Sequence, residues 1–327
     1  MPKRLLLKTL LLGLTTSCLS ISGLASAQNF PDRPITIVVP VPPGGLVDAS
    51  ARLLSEPLGR VTGQSIIIDN RQGASGNIAY QFVARSKPDG YTLLASYSGY
   101  HAANPLLMDK LTWDPFKDFT PIGMIGATPN VLIINSDLPI KNFAEFIDYA
   151  KKNPAKLSYG SAGPGTLTHL GMEQLKLAAG IFMVHVPYRG VGPAYTDLLA
   201  GQTQAMFPTL FAALPYLTTN RVRGLAVTGA KRSSAAPNIP TFKELGFNGF
   251  DGQQWYGVVG PANLSPAIVT KLNTELNKVL ALPDFSEKMT SEAMTLMPMT
   301  PPQFGNYIKE DIARWAKVAK DRNIEIE

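Results

Sequence analysis

Three times in this chain a short apolar strand runs through a glycine-rich turn into a helical segment, and this arrangement constrains the fold most. The three stretches are VPVPPGGLVDASAR at 39–52, RQGASGNIAY at 71–80 and YGSAGPGTLTHLGMEQLK at 159–176. Glycine lets a backbone approach a bound group closely, and a helix N-terminus offers N–H groups without intrahelical partners. The junctions therefore predict an α/β protein that binds a small anion at the carboxyl ends of its strands.

Strand and helix patterns alternate along the rest of the chain, with no repeat and no Ser/Gly-rich linker between them. This alternation predicts an α/β fold with mostly parallel sheets and helices on both faces. The chain of 327 residues is longer than a usual single core, so we expect two domains joined by strands that cross between them.

The first 27 residues predict a secretory signal peptide. A basic start is followed by a short apolar stretch at 10–21 and by Ala25-Ser26-Ala27, which fits the small-x-small rule of signal peptidase. We expect cleavage before Gln28 and a periplasmic protein. The alternatives are an uncleaved N-terminal anchor and a lipoprotein site at Cys18.

Cleavage before Gln28 removes Cys18, the only cysteine of the chain, and with it any disulfide or thiolate nucleophile. The remaining chain has 27 basic and 24 acidic residues, a net charge of +3, and no Lys/Arg run longer than a pair. A nucleic-acid footprint is therefore absent from the sequence, and we expect no nucleic-acid partner.

The first junction does not have the spacing of a nucleotide-binding loop. It lacks both G-x-x-x-x-G-K-[ST] and G-x-G-x-x-G. Asp48 is placed to cap the helix by accepting from backbone N–H groups. The Pro-Gly-Gly sequence is also typical of a tight turn without a ligand. In the third junction, Ser161 and Thr166 add hydroxyl groups, which suit a carboxylate because it accepts several hydrogen bonds at once.

The sequence offers little for catalysis or metal binding. No G-x-S-x-G motif surrounds Ser161 or Ser75. His169 and Glu173 have the i, i+4 spacing of a metal pair, but no third ligand is evident, and a packed or capping histidine is the preferred interpretation. We expect no catalytic residue, no metal and no cofactor.

Several aromatic residues follow strand ends and have two open interpretations. Tyr97, Tyr100, Tyr188 and the pair Trp255-Tyr256 can wall the apolar part of a ligand or pack in the core. Arg189 can likewise pair with an anion or hold the structure.

Motifs spread over nearly the whole chain resemble the Bug-type extracytoplasmic solute receptors, the substrate-binding proteins of tripartite tricarboxylate transporters. The matching segments include FPDRPITIVVPVPPGGLVDASAR, GQSIIIDNRQGASGNIA, KPDGYTLL, WDPFKDFTPIGMIG, LSYGSAGPGTLTHLGMEQLK, VPYRGVGPAYTDLLAGQ, RGLAVTGAKR, PTFKELG and WYGVVGPAN. The resemblance implies a two-lobed periplasmic-binding-protein fold of type II-like architecture, with the ligand cleft between the lobes.

The resemblance also implies the division of the chain and the loops that bind ligand. It places a signal peptide at 1–27, lobe 1 at 28–125 and 229–327, and lobe 2 at 126–228. A carboxylate is held through backbone amides, hydroxyls and waters by two loops, the first at Pro42–Asp48 in lobe 1 and the second at Ser161–Thr166 in lobe 2, with His169 just beyond it. The residues we expect to contact ligand are Pro42, Gly44, Gly45, Leu46, Asp48, Ser75, Asn77, Tyr97, Ser98, Ser161, Gly163, Gly165, Thr166, His169, Tyr188 and Pro208.

Three features depart from the family pattern or from regular structure. Ser75 and Asn77 lie where the family usually has glycine, so this turn is expected to present side chains. Phe207-Pro208 replaces a carboxylate that would favour an amine-bearing solute, which favours an aromatic or flat acid over an amino acid. Pro57 is expected to bend or end the first helix, since it has no N–H to donate.

Together these features predict a monomeric periplasmic receptor that closes on an organic carboxylate by hinge bending. The expected ligands are di-, tri- and aromatic carboxylates, and the expected partners are the integral-membrane subunits of a tripartite carboxylate transporter. The alternatives are an exported hydrolase-like enzyme acting on carboxylated substrates and a periplasmic sensory module.

Overall fold

The structure, a computed structural model, describes residues 30–108, 110–164 and 166–321. The predicted signal peptide and its cleavage site lie outside these residues. Within them the chain forms two β-sheets flanked by helices, and the expected two-lobed α/β arrangement is confirmed. No helix in this part of the chain has the length and apolar character needed to span a membrane.

The secondary structure of the described residues follows the chain in this order. The strands are β1 (Ile35–Val39), β2 (Ile66–Asn70), β3 (Thr92–Tyr97), β4 (Phe119–Pro129), β5 (Val131–Asn135), β6 (Ser158–Ser161), β7 (Val184–Pro187), β8 (Ala205–Met206), β9 (Val222–Val227), β10 (Gln253–Pro261) and β11 (Thr295–Leu296). The helices are α1 (Leu46–Thr62), α2 (Asn77–Ala84), α3 (Ser98–His101), α4 (Asn104–Leu107), α5 (Phe143–Lys152), α6 (Leu167–Ala179), α7 (Val191–Leu199), α8 (Leu210–Thr218), α9 (Pro266–Leu280), α10 (Pro283–Ser291) and α11 (Pro301–Asp321). A short 3-10 turn, Ala74–Gly76, precedes α2.

Both sheets are mixed rather than mostly parallel. The first has the strand order β11-β4-β10-β3-β1-β2, in which β1 is parallel to β2 and β3, and β10 is antiparallel to β3 and β4. The second has the order β7-β6-β8-β5-β9, with β5 antiparallel to both its neighbours. Consecutive strands of one sheet run parallel when a helical crossover joins them. Strands β5 and β10 instead enter their sheets from the other lobe, and both run antiparallel to their neighbours.

The chain first crosses between the sheets at Asn130, which is hydrogen-bonded to Thr228 just after β9. Only Asn130 separates β4 from β5, and its N–H donates to the Thr228 hydroxyl at 2.9 Å. The Thr228 N–H donates in return to the Asn130 carbonyl oxygen at 2.8 Å. The Gly229 N–H in turn donates to the Phe250 carbonyl oxygen at 2.9 Å, and after Phe250 the chain returns to the first sheet at β10. Residues 228–229 therefore link the two places where the chain passes between the sheets.

The segment between β9 and β10 packs on the second sheet. Phe242 and Phe250 lie in the same buried cluster as Phe143 and Tyr159. The expected boundary between 228 and 229 falls before this segment. From the packing we propose that lobe 1 comprises 30–129 and 251–321, and lobe 2 comprises 130–250.

Helix α1 covers one face of the first sheet and leads away from the first glycine junction. Leu54 and Leu58 pack in one cluster with Ile35 and Ile37 of β1. The helix does not end at Pro57: it continues to Thr62, where Gly63 takes a left-handed conformation with φ of 72° and donates to the Gly59 carbonyl oxygen. Burial of Leu54, Pro57 and Leu58 on the core face offsets the missing hydrogen bond.

Candidate functional site: the cleft between the lobes

A cleft of about 640 Å³ lies between the lobes and is lined by both of them. This volume is in the range of small-molecule binding sites. From lobe 1 it is lined by residues 40–42, 45–47, 72, 73, 75, 97, 99, 100, 254 and 256, and from lobe 2 by residues 162, 166–168, 189–191, 208, 209, 211 and 212. All three glycine junctions of the sequence therefore reach this one cleft.

The first junction presents the N-terminus of α1 to the cleft. Gly45 is the N-cap residue, with an extended backbone (φ −83°, ψ 166°), and no side chain caps the helix. Gly45, Leu46 and Val47 line the cleft. Gly44 has φ of +103°, in the left-handed region that favours glycine, which is how the chain turns into the helix here.

Two helices of lobe 2 also begin at the cleft without a capping side chain. The N-cap residue of α6 is Thr166 and that of α7 is Gly190, and both line the cleft. Helix α8 differs, because its N-cap Thr209 accepts from the Ala212 N–H at 3.4 Å. Each uncapped N-terminus carries roughly half a positive charge, so three of them make the cleft attractive to an anion.

The one charged side chain in the described lining of the cleft is positive, like the helix N-termini. Among the described residues that line it none is acidic, and Arg189 is the one cationic side chain. Arg189 is exposed, and no ion pair involving it is present in the described part of the chain. Both helix dipoles and side chains therefore favour a negatively charged ligand.

Asp48 is buried beneath the first loop rather than lining the cleft. Its carboxylate accepts from the Gly44 N–H at 3.0 Å, from Asn70 Nδ2 at 2.9 Å and from Arg52 Nε at 2.9 Å. Burial acts to raise the pKa of Asp48, but these donors outweigh it and the pKa lies below its usual value of 3.8. Asn70 Nδ2 also donates to the Val41 carbonyl oxygen, so the network holds both ends of the loop.

The second loop is likewise held by hydrogen bonds from its own side chains. Ser161 is fully buried, and its hydroxyl contacts both the N–H and the carbonyl oxygen of Gly163 at 3.1 Å. The Thr166 hydroxyl donates to the same carbonyl oxygen at 2.8 Å. Of these residues only Thr166 lines the cleft. Gly165 lies outside the described residues.

Behind the second loop two imidazole rings stack on each other. The rings of His169 and His185 have centroids 4.0 Å apart and an interplanar angle of 6°. His185 Nε2 lies 2.7 Å from the Ser161 hydroxyl, and His169 Nε2 lies 4.0 Å from Glu173. Burial and the neighbouring His169 lower the pKa of His185 to about 4, and burial lowers the pKa of His169. Both rings are therefore neutral at pH 7.

Of the two ligand contacts predicted in the turn at 71–80, one residue lines the cleft and the other does not. Ser75 lines the cleft with a left-handed backbone (φ 52°), and its carbonyl oxygen accepts from Asn104 Nδ2 at 2.8 Å. Asn77 does not line the cleft, because its amide oxygen accepts from Trp113 Nε1 at 2.9 Å and its amide nitrogen contacts Met108.

Aromatic rings form one wall of the cleft. Tyr97 stacks on Tyr256 with centroids 6.1 Å apart, and Tyr100 packs on Tyr97 at 4.9 Å. All three line the cleft, as does Phe211 of α8. Burial raises the pKa of Tyr97 well above its usual value, so the ring is neutral. This wall offers contacts to an apolar or flat ligand body.

Tyr188 and Ser98 lie elsewhere. The Tyr188 hydroxyl donates to Asp197 at 2.6 Å, and burial together with this carboxylate raises the pKa of Tyr188 to about 12. Ser98 is fully buried, and its hydroxyl has no hydrogen-bond partner among the described residues. Neither lines the cleft.

The predicted contact residues thus fall into two groups. Those lining the cleft are Pro42, Gly45, Leu46, Ser75, Tyr97, Thr166 and Pro208. Those of the described residues that lie outside its lining are Gly44, Asp48, Asn77, Ser98, Ser161, Gly163, His169 and Tyr188. Several residues of the second group hold the first group in place.

One further junction of the same kind was not predicted from the sequence. The segment VPYRGVGPAY at 186–195 also runs from a strand through glycine into a helix, and its Gly190 and Val191 line the cleft. Gln72 and Gln254 were missed as well, and no local pattern marks them. Groups of three or more His, Cys, Asp or Glu side chains able to hold a metal are absent from the described ranges.

Comparisons with known proteins agree over both lobes. A profile of the family described as "Tripartite tricarboxylate transporter family receptor" matches residues 50–324. Protein BugT of Bordetella pertussis (strain Tohama I) is 33% identical over 311 residues, which cover 95% of each chain. The structure of Rpa4515 from R. palustris with adipate aligns with a TM-score of 0.83 at 36% identity, covering 91% of this chain and 100% of that one. MatC from Rhodopseudomonas palustris with bound malate aligns with a TM-score of 0.77 at 32% identity, covering 88% and 99%.

Proposed function

The chain belongs to the family of tripartite tricarboxylate transporter receptors, and we propose that it is a periplasmic receptor for an organic carboxylate. It binds this acid between its two lobes and delivers it to the integral-membrane subunits of a tripartite transporter. Export through a signal peptide cleaved before Gln28 and action as a monomer are parts of the same proposal.

One observation carries the proposal: three uncapped helix N-termini and Arg189 meet in a cleft whose described lining has no acidic side chain. A carboxylate accepts several hydrogen bonds in one plane, and charge-assisted bonds of this kind are stronger than neutral ones. Helix N-termini from both lobes can donate to one such group. The ligand then connects the lobes.

The neighbours and the aromatic wall guide the choice of acid. Rpa4515 was solved with adipate and MatC with malate, so dicarboxylates are the first compounds to test here. Tyr97, Tyr100 and Tyr256 line the cleft and favour an acid with an apolar or flat body. Pro208 stands where an acidic side chain would favour an amine, which disfavours amino acids.

Binding is coupled to closure of the lobes. A ligand that contacts both lobes only when they are close together shifts the population toward the closed state. The crossings at Asn130 and after Phe250, both hydrogen-bonded to the segment Thr228-Gly229, provide the hinge in this proposal. The closed form, with both lobes in defined positions, is what the transporter recognises.

The receptor is proposed to be non-enzymatic. The Ser161 hydroxyl lies 2.7 Å from His185 Nε2, which is the geometry of a nucleophile and its base. Ser161 is fully buried, however, and its hydroxyl is held by Gly163. The pair therefore shapes the second loop. A sensory role with a signalling partner shares the same binding step and differs only in the partner.

A thermal-shift screen against di-, tri- and aromatic carboxylates tests the proposal. A ligand that binds only the folded state raises the apparent stability by RT ln(1 + [L]/Kd), about 2.7 kcal/mol at a hundredfold excess over Kd. We expect at least one acid to raise the melting temperature and to be recovered unchanged after incubation. Absence of any shift across the panel contradicts carboxylate binding, and conversion of a bound acid to product contradicts the receptor role.

A further inference from the structure

We infer that Arg189 receives a second anionic group of the ligand, so that this receptor selects acids with two separated anionic groups over monocarboxylates. The inference rests on the proposed function and deepens it. It assigns a specificity-determining role to the Arg189 side chain, which belongs to neither of the two loops that hold the first carboxylate.

The backbone of Arg189 is fixed beside the second loop. The Tyr188 N–H donates to the Ser161 carbonyl oxygen and the Gly190 N–H donates to the Ala162 carbonyl oxygen, both at 3.1 Å. These two bonds extend the pairing of β6 with β7 by one step past the strand ends. Arg189 therefore sits in an ordered segment between two anchored neighbours.

The side chain of Arg189 is on the cleft side of this segment. The Tyr188 ring packs over Gly160 and its hydroxyl donates to Asp197 at 2.6 Å, away from the cleft. Arg189 follows in a bend, is exposed, and is among the residues that line the cleft, whereas Tyr188 is not.

Arg189 keeps its charge available, unlike the arginines that serve the structure. Arg52 and Arg314 are each paired with a buried carboxylate, Asp48 and Asp311, at 2.9 and 2.8 Å. No described acidic residue is paired with Arg189, and no acidic side chain of the described part lines the cleft beside it. A guanidinium is well suited to bidentate recognition of a carboxylate.

The helix N-termini of the cleft are available for the first anionic group. The uncapped N-termini of α1 and α6 come from different lobes, whereas Arg189 directly precedes Gly190, the N-cap of α7. Much of the remaining lining is apolar, including Leu167, Val191 and Phe211. Two anion-binding positions within one largely apolar cleft fit an acid with charged ends and an apolar middle.

The experiment uses matched pairs of acids that differ by one carboxylate: hexanoate and adipate, butyrate and succinate, benzoate and terephthalate. Each is titrated into the purified wild-type protein and into Arg189→Gln, Arg189→Lys and Arg221→Gln by calorimetry. Arg221 is also exposed and lies in lobe 2 but does not line the cleft, so Arg221→Gln is the matched control. Thermal unfolding without ligand checks that the variants fold.

In the wild type and in Arg221→Gln we expect the dicarboxylate of at least one pair to bind about 10- to 100-fold more tightly than the matched monocarboxylate. This is the gain in affinity that one charge-assisted hydrogen-bonded pair usually provides. Arg189→Gln loses this preference and keeps monocarboxylate affinity, and Arg189→Lys retains part of it. Equal binding within every pair, or a preference that survives in Arg189→Gln, overturns the inference and leaves the proposed function intact. Absence of binding by all six acids and by the tricarboxylates of the wider screen overturns both.

Discussion

Asp48 connects the first loop of the cleft to the body of lobe 1. It is buried, and it accepts hydrogen bonds from Gly44, Asn70 and Arg52 while Asn70 also holds Val41. The position of the α1 N-terminus therefore depends on a carboxylate that does not line the cleft itself. Asp48 acts on a ligand through the backbone it positions.

Replacing Asp48 by Ala tests this positioning role. The change leaves the Gly44 N–H and the Asn70 and Arg52 side chains without their acceptor, so we expect the free energy of unfolding to fall by about 1–3 kcal/mol. Carboxylate affinity should fall by about tenfold, corresponding to roughly 1.4 kcal/mol, because the displaced loop no longer holds the α1 N-terminus in position. Glu56→Ala, an exposed position on the same helix, is the control for chemical denaturation and calorimetry. Unchanged affinity in Asp48→Ala would remove the positioning role.

Asp311 gives the protein a pH-dependent stability. It is fully buried on α11, where Trp255 Nε1 and Arg314 each donate to it at 2.8 Å. Burial raises the pKa of Asp311 to about 6 although both partners act to lower it. The folded state thus binds a proton between about pH 4 and 6 that the unfolded state releases, and stability falls as pH rises through this window.

The prediction is that Asp311→Asn removes this part of the pH dependence. Relative to the wild type, the variant should gain stability between pH 4 and pH 7, by up to about 3 kcal/mol for a shift of about two pKa units. Urea denaturation at a series of pH values measures the difference. A difference that stays constant from pH 4 to 7 would show that Asp311 is already ionised at the acidic end.

At the residue scale, sequence alone could predict which residue types surround the cleft but not their orientation. Gly45 and Thr166 were predictable because a strand, a turn and a helix follow one another locally. Asp48 and Ser161 belong to the same local pattern, yet they face inward. Their partners Asn70 and His185 are distant in sequence, and only the folded chain brings them together.

At the scale of elements, the N-terminus of α1 is the feature the proposed function uses most directly. Gly45 already has the extended backbone of an N-cap residue, and a Cβ added there would meet no atom within 4 Å. A larger side chain can therefore be placed at this position without a clash inside the protein. It would occupy the cleft instead.

We predict that Gly45→Asp folds normally and loses ligand. Aspartate is a favourable N-cap, so the stability should be unchanged or raised by less than about 1 kcal/mol. Its carboxylate takes the helix N–H groups and repels an anion, which should weaken acid binding by about 100-fold.

Gly45→Asn is the matched control for Gly45→Asp, because it caps the helix without a charge. Asparagine should weaken binding by only about tenfold, corresponding to roughly 1.4 kcal/mol. Calorimetry gives the affinities and thermal unfolding gives the stability. Wild-type affinity in Gly45→Asp would exclude this helix end from the site.

Elements with strong local signals were predictable and those held by the sheet were not. Helix α9 begins where its sequence signals a start, because Ser265 caps it by accepting from the Ile268 N–H at 3.3 Å and Pro266 follows. Strand β4 has no comparable local signal, since its 11 residues include two prolines and two glycines. It is extended because β10 pairs along most of its length.

At the scale of the whole molecule, the lobes meet in more than the two crossings. Trp315 of α11 lies in one buried cluster with Leu167 and Leu170 of α6 and with Ala102 and Ala103. Helix α6, whose N-terminus faces the cleft, is therefore also packed against lobe 1. The resemblance implied two hinged lobes, but not which surfaces they share, because such packing depends on residues far apart in sequence.

The central claim is that one carboxylate joins the helix N-termini of both lobes and closes them. Small-angle X-ray scattering of the protein, with and without the acid identified by the thermal-shift screen, tests this most directly. We predict that the radius of gyration, about 19 Å for a compact chain of this size, decreases on addition of ligand to the wild type and stays constant for Gly45→Asp. Identical scattering profiles of the wild type with and without a saturating acid would contradict the account.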